Sequence, residues 1–217
     1  WILVFAQCNA EPIALVVDRE TEGLSVTPIL GMHGTRGSML AQLNFDDARV
    51  PKDRQLGRLG MGVRLVANLA LDQGRYSVAW GTTGIIRACL DASVLYASER
   101  SQGGARLKDH QLIRRLLTEM VVAYTTARGL CYRCACSRQE GDPRAFLETS
   151  MAKYHATTSA VRVAQDAARL HGANGCHSSY SVGRHLRDAT VMSVIEGTDE
   201  IHQLALASYA LQRPYLD

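Results

Sequence analysis

The chain lacks several features that would assign it to a broad class. It contains no apolar run of the about 18 residues needed to cross a bilayer and no secretory leader at its start. Its 24 basic and 21 acidic residues are mixed along the chain, and the net charge is only +3, which gives little support to nucleic-acid binding. The six cysteines are scattered through segments with helical patterns. These features predict a cytoplasmic protein without a membrane partner.

Two familiar binding motifs are incomplete. Cys131, Cys134 and Cys136 would point in different directions from one helix, and no second Cys/His pair follows at a zinc-site spacing. We therefore expect core cysteines and no metal site. Glycines at 57, 60 and 62 lack the G-x-G-x-x-G order, and no βαβ pattern surrounds them, which excludes a Rossmann site.

The first 50 residues have the composition of short antiparallel strands, predicted at residues 1–6, 12–18, 24–29 and 39–45. Proline and glycine then break the pattern, so we place a domain boundary near residue 52, between a partial β-domain (residues 1–52) and a helical domain (residues 53–217). The chain begins inside an apolar, strand-like run without an initiating Met. We expect upstream residues, or a second chain, to cover that strand.

From residue 63 onward apolar residues recur at helical spacing. The pattern predicts long helices ending near residues 101, 138 and 170, and shorter ones over residues 183–195 and 198–211. Long helices joined by short turns favour an antiparallel, four-helix-bundle-type domain. The predicted fold class is α+β, mainly α.

Glu196 is the candidate catalytic base. It lies in residues 195–202 (IEGTDEIH), where Gly197 interrupts the helix and Thr198 can cap the next one. The apolar run at residues 190–195 is expected to form a wall beside it, which suits a carboxylate that takes up a proton. The simpler interpretation is an ordinary glutamate at a helix boundary.

Two other features also have simple explanations. Arg100 lies in the last turn of a predicted helix, where a cation complements the helix dipole without any ligand. The segment 171–175 (HGANG) is a helix cap and turn, although backbone N–H groups in such a loop can hold a phosphate.

Taken in order, these segments resemble the acyl-CoA dehydrogenase family over essentially the whole chain. The matching segments are residues 34–38 (GTRGS), 43–51 (LNFDDARVP), 71–75 (LDQGR), 99–102 (ERSQ), 171–175 (HGANG), 186–189 (LRDA) and 195–201 (IEGTDEI). The resemblance implies the second half of a subunit, with part of the middle β-domain and the complete C-terminal helical bundle. The N-terminal helical domain would be absent from this chain.

The resemblance also implies a reaction, which is the FAD-dependent α,β-dehydrogenation of an acyl thioester. Glu196 would remove the proton next to the thioester carbonyl while hydride leaves for flavin N5. A few branches of the family place their base on the first long helix, where this chain has Gly74. The backbone N–H of the base would be one donor to the developing enolate oxygen.

The resemblance further implies binding residues and partners. Arg100 and Gln111 match contacts to the pyrophosphate and adenosine side of FAD across a subunit interface, and Thr198 and Glu200 match contacts near the base. Sharing of the cofactor implies a homodimer or homotetramer. Asp72 and Arg75 match positions facing the carrier portion of the thioester, and Gly197 adjoins the thioester itself.

The chain departs from the family pattern at several of these positions. Gly103 replaces a phenylalanine, Arg169 replaces a glutamine, and Ala173 follows Gly172 where a second glycine is usual. The resemblance implies that Arg169, Gly172 and Ala173 contact the cofactor, and Arg169 can pair with a pyrophosphate directly.

Other segments resemble dehydrogenases of polyketide and peptide natural-product pathways, which often act on acyl-carrier-protein thioesters. These segments are residues 74–81 (GRYSVAWG), 109–112 (DHQL) and 195–197 (IEG). The carrier, the oxidised bond and the electron acceptor stay open. The alternative functions are a redox-inactive oligomerisation scaffold and, with support only from the small charge excess, a nucleic-acid-binding relative.

Overall fold

The computed structural model describes residues 1–212 and contains two compact units. The first unit comprises residues 1–32 and 36–73, and the second comprises residues 33–35 and the described residues from Gly74 onward. The predicted domain boundary near residue 52 stays a prediction.

The first unit contains two small antiparallel sheets. Strands β1 (Ile2–Cys8) and β2 (Glu11–Val17) pair in register from Ile2 with Val17, and β5 (Gln55–Leu56) adds to the other edge of β2. Strands β3 (Leu24–Pro28) and β4 (Ala41–Phe45) form the second sheet. The four predicted strands are therefore confirmed. The pattern missed β5, because two residues are too few to show an alternation.

Five helices were predicted, and all five are present. They are α1 (Asn68–Glu99), α2 (Gln111–Gln139), α3 (Ala145–His171), α4 (Val182–Met192) and α5 (Asp199–Gln212). The expected continuous helix from residue 63 instead begins with a π-helical segment at Gly62–Ala67. Between α1 and α2, strands β6 (Ser101–Gln102) and β7 (Ala105–Arg106) form a hairpin where only a helix stop was expected.

The core of the second unit forms around α3, which packs on α2, α4 and α5. The buried face of α3 is rich in alanine, including Ala156, Ala160, Ala164 and Ala167. Small side chains let the backbones of neighbouring helices approach closely. The larger side chains that fill the core come from the other helices, for example Met120 from α2. The fold class and the helical bundle are confirmed.

The cysteine prediction holds only in part. Cys131 and Cys134 are fully buried, and burial raises the pKa of the Cys131 thiol. Cys136 is exposed, so the expectation that it is a core residue was wrong. It lies two positions beyond Cys134, about 200° around the helix and therefore on the opposite face. Among residues 1–212 no group of three or more His, Cys, Asp or Glu side chains could hold a metal ion.

None of the helices in the described part of the chain is long and apolar enough to span a membrane.

Met120 provides a test of the core. It is fully buried, so Met120→Ala leaves a cavity and should lower the free energy of unfolding by about 2–5 kcal/mol. The volume-conserving control Met120→Leu should cost less than about 1.5 kcal/mol. Denaturant unfolding of the two variants measures both values. Equal, small losses would show that Met120 does not fill the core.

Candidate functional site

Glu196 lies at the junction between α4 and α5, outside both helices, as predicted. The junction runs over residues 193–198, and the backbone φ of Glu196 is +59°. A left-handed conformation is costly for a residue with a side chain and persists only where the surroundings impose it. Gly197 follows with φ +98°. The chain thus makes a sharp, strained turn at the candidate base.

The Glu196 carboxyl group lies over Gly74 on α1. A Cβ atom added at Gly74 would overlap the carboxyl carbon and both carboxyl oxygens. The missing side chain at position 74 therefore creates the space that the Glu196 carboxylate occupies. The family resemblance gives two positions for a catalytic base, which are Gly74 on α1 and Glu196 at the junction. The Glu196 carboxyl group occupies the space in which a side chain at position 74 would begin.

Two cations contact the backbone of the junction. The Nε atom of Arg75 donates to the carbonyl oxygen of Glu196 at 2.9 Å, and Nζ of Lys153 on α3 donates to the carbonyl oxygen of Gly197 at 2.7 Å. Lys153 is fully buried. Burial lowers the pKa of its ammonium group, and the nearby charges of Asp199 and Glu196 oppose that effect.

The apolar wall expected beside Glu196 is not formed by residues 190–195 in the described part of the chain. Val194 is 58% exposed and Ile195 is 36% exposed, because α4 ends at Met192 and the apolar run leaves the helix before it reaches Glu196. The groups that reach the junction are charged and polar instead. Sequence periodicity could not show this, because it assumed that the helix continues to residue 195.

His202 on α5 is buried below the junction. Its Nε2 atom has no hydrogen-bond partner of good geometry among residues 1–212, although the carbonyl groups of Glu196 and Gly197 lie nearby. Burial, with the charges of Lys153 and Arg75, lowers the pKa of His202 to about 4. The imidazole is therefore neutral at pH 7.

A second group of candidate residues lines a cavity of about 260 Å³ where α1, α3 and the β6–β7 hairpin end. Its lining brings together Arg100, Gly172 and Ala173, which the sequence named as cofactor ligands. It also contains three residues of the matching segments 99–102 and 171–175, which are Gln102, His171 and Asn174, and three that the sequence did not name, which are Tyr96, Leu107 and Leu170.

The walls of this cavity are held by specific contacts. The Tyr96 ring stacks on His171 with centroids 4.3 Å apart, and Asn174 Nδ2 donates to the Tyr96 hydroxyl at 2.9 Å. Gly172 has φ +60° and ψ −137°, a conformation that is available essentially only to glycine. The loop after α3 therefore needs glycine at position 172 but accepts alanine at 173.

The other residues that the sequence analysis gave as site residues lie outside this cavity. Gln111 begins α2 and is exposed, and Arg169 is 77% exposed with its guanidinium 3.6 Å from Asp166. Thr198 and Glu200 lie beside Glu196, and a hydrogen bond from Thr198 lowers the pKa of the Glu200 carboxyl. Asp72 is buried in the first unit.

The sequence reasoning missed Lys153 and His202, although a signal for Lys153 was present. Lys153 is followed by Ala156 and Thr157 at the helical spacing that faces a core, so a lysine there is expected to be buried and paired.

The family model described as the C-terminal domain of acyl-CoA dehydrogenase matches residues 60–211. The chain belongs to the acyl-CoA dehydrogenase family. Homologues in this family are FAD-dependent flavoproteins and oxidoreductases.

The matches cover nearly all of this chain but only about half of the length of each relative. The human mitochondrial short-chain specific acyl-CoA dehydrogenase is 36% identical over 200 residues, covering 92% of this chain and 48% of that protein. Butyryl-CoA dehydrogenase from Megasphaera elsdenii superposes with a TM-score of 0.91 and 33% identity, over 96% of this chain and 55% of that one. The chain thus spans about half the length of the curated relatives that it matches.

A similar structure comes from natural-product biosynthesis. FkbI, described as acting in biosynthesis of the methoxymalonyl extender unit of the polyketide FK520, superposes with a TM-score of 0.86 and 32% identity. The match covers 98% of this chain and 58% of that one.

The contact between Gly74 and Glu196 can be tested directly. In Gly74→Ala the new methyl group should displace the Glu196 carboxylate, which can swing away because it ends a flexible side chain. The free energy of unfolding should change by no more than about 1 kcal/mol, the difference in helix propensity between glycine and alanine. Crystal structures and denaturant unfolding of both proteins measure the two effects.

Gly81→Ala is the matched control, because Gly81 lies on the same helix with open space around it. It should leave Glu196 in place. A Gly74→Ala structure with an unmoved carboxylate would contradict the described contact.

His202 predicts a dependence of stability on pH. The unfolded imidazole binds a proton below about pH 6.5, whereas the folded one does so only near pH 4. The unfolded state therefore binds more protons within this window, and stability present above pH 6.5 is lost as the pH falls to about 4. His202→Gln should make this decline shallower by an amount on the order of 3 kcal/mol.

Unfolding by denaturant at a series of pH values measures this slope. Above pH 7.5 the difference between variant and wild type should be constant, which serves as the internal control. Burial also lowers the pKa values of His155, His171 and His185, so part of the slope will persist. Equal slopes for variant and wild type would exclude His202 as the source.

Proposed function

We propose that this chain carries the catalytic base of an FAD-dependent acyl-thioester dehydrogenase, and that Glu196 is that base. The observation that supports this most strongly is the Glu196 carboxylate held over Gly74 at a strained break between two helices. Strained backbone at a carboxylate with a cleared space is typical of sites that hold a reactive group in one position.

The proposed reaction removes two hydrogens from the acyl chain. The Glu196 carboxylate takes the proton from the carbon next to the thioester carbonyl, and the electron pair left on that carbon forms the new double bond as hydride leaves the neighbouring carbon. Bound FAD supplies the acceptor for that hydride at N5. The backbone N–H of Glu196 donates to the carbonyl oxygen, where negative charge develops.

The cavity at the end of α3 fits the phosphate part of the cofactor. Arg100 brings a permanent positive charge, and the left-handed Gly172 leaves the backbone of the loop open to an anion. Arg169 is exposed one turn earlier and can reach an anion bound outside α3. Gln111 would complete the adenosine side, and Thr198 and Glu200 would contact FAD near the base.

The two groups of residues are too far apart to serve one cofactor easily within a single chain. Lys153, which contacts the Glu196 junction, and Gly172 lie 19 residues apart along α3 and its end, which corresponds to roughly 28 Å. This separation supports an oligomer in which one subunit offers the cavity with Arg100 and another offers the junction with Glu196.

The proposed substrate is an acyl group on coenzyme A or on an acyl carrier protein. Asp72 and Arg75 would face the carrier portion and Gly197 the thioester, while Arg75 also fixes the Glu196 backbone. The likeness to butyryl-CoA dehydrogenase and to FkbI supports a test of both carriers. Biosynthesis of a polyketide extender unit is the more specific form of this proposal.

A redox-inactive scaffold is the second candidate. It is favoured by the departures at Gly103 and Arg169, since both are placed by the family resemblance at the flavin site. Flavin content of the purified protein separates the candidates: a scaffold would hold none.

Glu196→Gln tests the proposed base. The variant keeps the shape of the side chain but cannot accept the proton, so it should retain flavin and lose its rate of flavin reduction by a factor of about 10² or more. The measurement is anaerobic bleaching of oxidised flavin during titration of the full-length protein with acyl-CoA and acyl-carrier-protein thioesters.

Glu119→Gln, an exposed change on α2, is the matched control and should react like wild type. Flavin reduction at a near wild-type rate in Glu196→Gln would exclude Glu196 as the base. Flavin that no thioester reduces, in the wild type itself, would exclude the dehydrogenase.

A further inference from the structure

We propose that Lys153 is a positioning residue that holds the Glu196 junction in its strained conformation. Among residues 1–212 its ammonium group makes three polar contacts, all with the segment that carries Glu196. Only the catalytic consequence rests on the proposed function. The structural role stands on contacts within the helical unit.

The contacts of Lys153 lie on both sides of Glu196. Nζ donates to the carbonyl oxygen of Gly197 at 2.7 Å and lies 3.5 Å from that of Ser193. It also lies 3.5 Å from Oδ1 of Asp199. An ammonium group has three hydrogens, and these three acceptors can take all of them. The end of α4, the turn after Glu196 and the start of α5 are therefore connected through one atom.

The negative partner is itself held in place. Asp199 Oδ1 accepts a hydrogen bond from the Thr157 hydroxyl at 2.8 Å, and Thr157 lies one turn after Lys153 on α3. The Thr157 hydroxyl also donates to the carbonyl oxygen of Lys153 at 2.9 Å, as an alternative partner. Two donors on α3, the Lys153 ammonium group and the Thr157 hydroxyl, therefore contact Asp199, the first residue of α5.

Stability alone does not explain a lysine at this position. The side chain is fully buried, and Ala152 and Ala156 beside it on α3 are fully buried as well. Removing an ammonium group from water is costly, and an apolar side chain of similar size is often as good or better for stability. What an apolar side chain cannot do is hold two backbone carbonyls and a carboxylate in fixed positions.

The conformation that Lys153 holds is one that the chain would not adopt unaided. Glu196 has φ +59°, and its carboxylate occupies the space above Gly74. Arg75 holds the carbonyl oxygen of Glu196 from the side of α1, and Lys153 holds that of Gly197 from the side of α3. Loss of the Lys153 contacts leaves one of the two supports, and a shift of about 1 Å in a reacting group can reduce a rate about 10²-fold.

The first experiment measures the junction itself. Amide hydrogen exchange is compared between the full-length wild-type protein and Lys153→Met, which is unbranched and one atom shorter than lysine and removes the charge. The amides of Val194 and Ile195 are hydrogen-bonded at the end of α4, and those of Ile201 and His202 at the start of α5. Exchange of these four amides should become at least about 10-fold faster, while amides at the centre of α2 stay protected. Unchanged protection of these four amides would overturn the proposal.

Thr158→Val is the matched control. Thr158 lies on the same helix, and its hydroxyl donates within α3, to the carbonyl oxygens of Tyr154 and His155. It should leave exchange at the junction unchanged. If Lys153→Met does not fold, the double variant Lys153→Met with Asp199→Asn replaces it, because that pair leaves no unpaired buried charge. Failure of both to fold would overturn the proposal in favour of a purely structural lysine.

The second experiment separates positioning from general destabilisation by a double-mutant cycle. Lys153→Met should slow flavin reduction by a thioester about 100-fold when Glu196 is present and less than about 3-fold in the Glu196→Gln background. An equal loss in both backgrounds would mean that Lys153 does not act through Glu196. If thioesters never reduce the wild-type flavin, the proposed function fails, and the exchange experiment still decides the role of Lys153.

Discussion

The small side chains along α3 are the constraint on which the helical unit depends. Because alanine, serine and threonine together occupy most of its buried face, α2, α4 and α5 can all pack against one helix. The same helix carries Lys153 in its first half and ends at His171 beside the cavity lined by Arg100 and Gly172. One close-packed helix therefore positions both groups of candidate functional residues and fixes the distance between them.

The sequence predicted the elements well, because the helices are long and their apolar period is regular. It predicted the details at the ends of elements poorly. The Gly103–Gly104 segment forms the turn of a hairpin, and the helix after residue 62 starts with a π-helical segment. In both cases hydrogen bonds between a few residues decide the local structure, and such short segments carry no periodic signal.

The candidate site could likewise be predicted from the sequence only in part. The position of Glu196 outside both helices followed from Gly197 and Thr198, which are local signals. Its surroundings did not follow, because Gly74, Arg75 and Lys153 reach it from helices that are 43 to 122 residues away along the chain. The expected apolar wall was wrong for a related reason: α4 ends at Met192, so Val194 and Ile195 point outward. A single sequence shows the pattern of an element but not what packs against its end.

Three energetic costs coincide at the junction, and together they favour an active site over a scaffold. Glu196 has a left-handed backbone, Lys153 is a fully buried cation, and His202 Nε2 has no well-oriented hydrogen-bond partner among residues 1–212. Each cost could be relieved by a single substitution: glycine at 196, an apolar residue at 153, or a leucine-like residue at 202. A bundle that served only to hold subunits together would gain stability from all three. Their concentration around one carboxylate is expected where a reactive group must be held in a position that the chain would otherwise leave.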